Sequence, residues 1–76
     1  MGDRTARVLS ARLEELASVA ERSGAAADAV ARLLEAASVA TLNAVALDLL
    51  SETDAREIWR EAEDRHPVVA ELREAA

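Results

Sequence analysis

A chain of 76 residues with net charge −6, no cysteine and a single aromatic side chain, Trp59, excludes several function classes. No disulfide or thiolate metal site can staple it, and nucleic-acid or anionic-membrane binding lacks the concentrated basic face it needs. A lone core built from Leu, Val, Ala, Ile58 and Trp59 barely offsets conformational entropy at this length, so oligomerisation is an expected source of stability.

Every basic side chain is Arg, and Lys and Gln are missing altogether, the composition of a GC-rich bacterial coding sequence. The acidic balance serves solubility. Met1-Gly2-Asp3-Arg4-Thr5 has no apolar stretch of the signal-peptide kind, and Ala6 stands where myristoylation requires Ser or Thr. These features read as a single cytoplasmic domain over residues 1–76, with no membrane association.

The first predicted helix covers Asp3 to Arg22. Leu9, Leu13, Leu16 and Ala20 recur at a spacing that places them on one stripe, with Arg7, Glu14, Ser18 and Glu21 opposite. Ser23-Gly24 ends it, with Gly24 expected in the left-handed conformation. The second predicted helix runs from Ala26 to Leu50. Val30, Leu34, Ala37, Thr41 and Val45 define one face, and Leu33, Ala40, Ala44 and Leu47 another. Val39, Leu42 and Leu49 fall on further sides. Within it, Ala36 to Leu47 carries no charge for twelve residues, too short a run to span a bilayer.

Ser51-Glu52-Thr53-Asp54 then resembles a capping box opening a third helix, Glu52 to Arg65. Ala55, Ile58, Trp59 and Ala62 form its apolar side; Glu57, Arg60, Glu61 and Asp64 form its wet one. His66-Pro67 breaks it, since a residue before proline avoids helical geometry. Pro67 suits the first position of a fourth helix to about Ala75, with Val68, Val69, Leu72 and Ala75 inward. No segment alternates apolar and polar residues between turn signals. The expected fold is therefore all-α, a small bundle of about four helices.

A helix that is apolar all round must be covered on several sides, and this chain has few other elements to do it. The expectation is a homodimer through the second helix. Leu33, Ala37, Ala40, Thr41, Asn43, Ala44 and Leu47 are the candidate interface residues, and Ala36, Ala40 and Ala44 form a ridge that suits close helix pairing. In that arrangement the third and fourth helices fold back over the ends. Asn43 either pairs with its counterpart across a dimer axis or faces solvent beside Arg32. Trp59 is assigned to the core, with an interface anchor as the alternative. From Ser51 onward the chain holds eight acidic residues against four arginines, a surface suited to a further protein partner.

Candidate chemistry is sparse. Glu63 and His66 have the Glu-x-x-His spacing of bundle metal sites, but the second helix offers only Glu35 and Asp48 as further carboxylates. His66 is read instead as a solvent-facing helix end. One His and no Cys leave only a Ser–His pairing for nucleophilic catalysis, and no Gly-x-Ser-x-Gly turn presents a serine. Glu14-Glu15 and Glu61-Glu63-Asp64 read as solvent-facing rather than as acid/base pairs. Acyl and peptidyl carriers are similar in size and charge, yet Asp48-Leu49-Leu50-Ser51 has the residues of their attachment motif in the wrong order, and Ser38 lies mid-helix. The expected function is a non-enzymatic, homodimerising adaptor, docking or regulatory module without a cofactor. The alternatives are an obligate small subunit of a hetero-complex and, behind it, a metal-binding or carrier-like bundle.

Overall fold

A computed structural model describes the backbone of residues 2–75 and the side chains of residues 4–74. Four helices follow one another: α1 (Gly2–Arg22), α2 (Ala27–Ala46), α3 (Glu52–Arg65) and α4 (Pro67–Ala75), with one 3-10 turn, Gly24–Ala26, between the first two. No strand occurs among the described residues, so the fold is all-α.

α1 forms on the stripe read from its sequence. Leu13, Leu16, Ala17 and Ala20 are buried, and Leu9 packs at the margin. Arg22 also donates from Nε to the Ser18 carbonyl at 3.2 Å, placing a positive charge in the last turn where it complements the helix dipole. The turn that follows differs from expectation. Gly24 does not take a left-handed conformation. The chain reverses instead through an extended Ser23 (φ −142°, ψ 100°), whose carbonyl accepts from the Ala26 N–H at 3.0 Å.

α2 also ends sooner than the apolar pattern suggests, at Ala46 rather than Leu50. Asp48 sits at φ 64°. Around it the Asp48 N–H donates to the Val45 carbonyl (3.1 Å) and the Leu49 N–H to the Ala44 carbonyl (2.9 Å). That bond pattern is a Schellman stop, with Asp in the position usually held by glycine. Ending here lets the chain turn so that Leu50 is buried and Ser51 reaches the start of α3. There Ser51 Oγ accepts the Asp54 N–H at 3.0 Å, the expected N-cap. His66, outside helical geometry (φ −132°), separates α3 from Pro67 at the head of α4.

The core lies toward one end of the α1/α2 hairpin. Leu13, Leu16, Ala17 and Ala20 from α1 meet Val30 and Leu34 from α2, and Trp59, Ala62 and Val69 close over them. Trp59 is a core residue, 8% exposed. α3 packs chiefly on α1, and α4 on α2 and α3. α3 runs back from the end of α2, with its first half beside Thr41, Leu42 and Val45. On the opposite side, where the start of α1 lies beside the end of α2, neither short helix lines the surface.

Candidate functional site: an open apolar groove

Where α1 and α2 are uncovered, their facing sides form a groove of about 350 Å³. Thr5, Val8 and Arg12 line one wall; Leu33, Ala36 and Ala40 line the other. Leu9, Leu16, Ala37, Thr41 and Leu50 lie deeper. The alanines keep the α2 wall low. Arg12 supplies the one charged side chain along it.

The apolar surface does not stop at the groove. Val8, Leu33, Val39, Leu42, Leu47 and Leu49 are each 45–69% exposed, and all but Val8 belong to α2 or the turn after it. Leu33 and Leu47 continue the groove side of α2, whereas Val39 falls on another side and Leu42 in the hollow beside Trp59. Val30, Leu34 and Thr41 on α2 are buried, so the face with a 3.6-residue period serves the core and the excess apolar residues face outward.

Of the predicted interface residues, Leu33, Ala40, Asn43 and Leu47 are exposed and Ala37 and Ala44 are half-buried. Thr41 is engaged within the protomer: it is 7% exposed, its Oγ1 accepts the Trp59 indole N–H at 3.0 Å, and it donates to the Ala37 carbonyl at 2.7 Å. The ridge Ala36–Ala40–Ala44 lines the groove.

No protein-family model, curated protein or solved structure matches this chain. Any functional reading therefore stands on geometry alone.

A second cluster escaped the sequence reading. His66 is not a solvent-facing end; its side chain is 15% exposed and is held between two carboxylates of α1. Its Nε2 lies 2.8 Å from Glu14, and its Nδ1 3.0 Å from Glu21. Two ring nitrogens facing two carboxylates can both donate only as imidazolium. These hydrogen bonds, that to Glu14 foremost, raise the His66 pKa above the ordinary 6.5. Arg65 adds positive charge 4.0 Å from Glu14. The two carboxylates flank opposite edges of the ring, so one metal ion could not take both together with a ring nitrogen. Glu63, the other half of the Glu-x-x-His spacing, pairs with Arg73 at 3.2 Å. No group of three or more His, Asp or Glu side chains converges as a metal site among the described residues.

On the other side of α2, the Arg73 guanidinium lies 4.3 Å over the Trp59 ring, completing the cover of the core. Ser51 Oγ is occupied by its cap, and Ser38 is half-buried within α2. By length and composition, Gly24–Ala46 is apolar enough to cross a membrane, with mean hydropathy 1.3. Glu35 lies at its midpoint and Arg32 near it.

Proposed function

We propose that this protein is a non-enzymatic helical interaction module that associates with itself through the α1/α2 groove and the apolar face of α2, acting as a small adaptor or docking protein. The observation that carries this reading is the open apolar groove between α1 and α2, with Val8 and Leu33 exposed along it and Leu47 exposed on the same side of α2. Water contact along that face is unfavourable by about 25 cal/mol for each Å² of apolar surface, and covering it is the available gain. A second copy supplies a matching face at no cost in additional sequence, as in closed twofold assemblies.

The cytoplasm is the compartment proposed. Placing α2 across a bilayer would bring Glu35 to the middle of the hydrocarbon, where an ionised side chain costs about 3 kcal/mol or more. The acidic α3 and α4 lie away from the groove and remain available to a further protein once the groove is covered.

Light scattering behind size exclusion, over a wide concentration range with circular dichroism alongside, tests the proposal. The expected result is a helical dimer that dissociates on dilution, with Ala44→Arg shifted to monomer while remaining helical. A well-folded wild-type monomer at every concentration overturns self-association. A poorly folded monomer does so too, and favours the hetero-complex subunit instead.

A further inference from the structure

His66 is the one residue outside helical geometry between α3 and α4, and its ring ties that elbow to α1. Nε2 faces Oε1 of Glu14 at 2.8 Å, while Nδ1 faces both oxygens of Glu21, at 3.0 and 3.1 Å. The two carboxylates stand about two turns apart on one side of α1. No carboxylate from α2 or α4 lies within 4.0 Å of the ring among the described residues. Both ties hold only while the ring is an imidazolium. A neutral imidazole has one N–H and one lone pair, so on losing its proton the ring turns a lone pair on one of the two carboxylates, and that contact opens.

The two carboxylates are not equivalent when this happens. Glu14 is held from two sides: Oε1 takes the ring, and Oε2 lies 4.0 Å from Arg65 Nη1. Its bond is the shorter one, is directed at a single oxygen, and is the stronger of the two in raising the His66 pKa above the ordinary 6.5. Glu21 shares one N–H between two oxygens and has no arginine within 4.0 Å among the described residues. It also stands in the last turn of α1, where the carbonyl end of the helix disfavours a negative charge. Arg22, its neighbour in that turn, is directed at the Ser18 carbonyl. The two glutamates are equally open to water, at 48% and 46% exposure, so hydration does not choose between them. The held carboxylate stays and the unsupported one leaves.

We infer that the clasp is a proton-operated latch with one fixed and one releasing side: His66 keeps its Nε2–H bond to Glu14 in both charge states and lets go of Glu21 when neutral, freeing the last turn of α1 from the α3–α4 elbow. This holds whether or not the groove is covered, since the latch is built within one chain.

The chain has a single histidine, so the ring nitrogens of His66 can be followed without ambiguity by 15N NMR across its titration. As pH rises, Nδ1 is expected to move to the unprotonated range while Nε2 keeps its proton. Urea midpoints of Glu14→Ala and Glu21→Ala, at equal protein concentration on either side of that titration, then separate the two sides of the latch. While His66 is charged, both variants should be less stable than wild type. Once it is neutral, the gap between Glu21→Ala and wild type should close, and the gap for Glu14→Ala should persist.

A neutral ring that keeps its proton on Nδ1, or a gap that closes for Glu14→Ala and persists for Glu21→Ala, reverses the two sides and overturns the inference. Gaps that close together, or that both persist, show no selective release and overturn it as well.

Discussion

Trp59 donates its indole N–H to the hydroxyl of Thr41 at 3.0 Å, across 18 residues of sequence, and this bond joins α3 to α2 inside the core. The Thr41 hydroxyl donates in turn to the Ala37 carbonyl, so both polar groups of this buried pair are satisfied. The Arg73 guanidinium over the indole completes the enclosure.

Thr41→Val keeps the branched shape and removes the acceptor, leaving a buried N–H with no partner. The expected cost is about 1–3 kcal/mol, seen as a fall in thermal midpoint of about 4–8 °C per kcal/mol at this chain size, compared at equal protein concentration. Trp59→Phe in the Thr41→Val background should cost less than Trp59→Phe alone, because the unmet donor goes with it. Additive losses in that cycle would mean the bond contributes nothing.

The His66 clasp makes stability depend on pH in a definite direction. The folded pKa lies above the ordinary 6.5, because the protonated ring donates to Glu14 and Glu21. The folded state therefore holds a proton that the unfolded chain releases. The stabilisation is complete below the unfolded value and is lost as pH rises through the raised folded value. Urea midpoints should fall as pH rises from the ordinary imidazole value of 6.5 through the raised folded one, and His66→Gln should flatten that slope. A slope unchanged in His66→Gln would assign the dependence to another group.

The cap between α2 and α3 holds two separable contributions. Ser51→Ala removes the acceptor for the Asp54 N–H and should lower stability by about 1 kcal/mol. Asp48→Gly acts in the opposite sense, since Asp48 sits at φ 64°. It relieves about 1–2 kcal/mol of left-handed strain, less the about 0.4–1 that glycine costs through the unfolded chain. Asp48→Ala is the control: it removes the same charge without relieving the backbone, so equal gains in both variants would assign the effect to charge.

Local features were legible and distant ones were not. The spacing of Leu13, Leu16 and Ala20, the Ser51 cap and the Pro67 start are each decided within one or two helical turns, and the structure keeps them. The surplus of apolar residues on α2 was equally visible, because Leu33, Ala40 and Leu47 exceed what one inward face can hold. The end of α2 was misread because nothing in the pattern stops at Ala46. The stop depends on an aspartate adopting a backbone conformation more usual for glycine. The role of Thr41 depends on where Trp59 lands, and the clasp unites His66 with carboxylates 45 and 52 residues away. Glu14 and Glu21 look like any solvated pair until α3 is packed on α1.

The turn between α1 and α2 offers the reverse of Asp48. Glycine at position 24 is not required by its backbone, which is not left-handed, and an added Cβ there would meet no atom within 4 Å. Gly24→Ala should therefore stabilise the fold by about 0.4–1 kcal/mol, by reducing the freedom of the unfolded chain rather than by any new contact. Because the gain arises in the unfolded state, it should appear as a higher urea midpoint with little change in the denaturant slope. The substituted residue lies beyond the groove, so the oligomeric state should not change. A fall in stability would mean that position 24 visits a glycine-only conformation in the native turn, which would restore the left-handed stop expected from Ser23-Gly24.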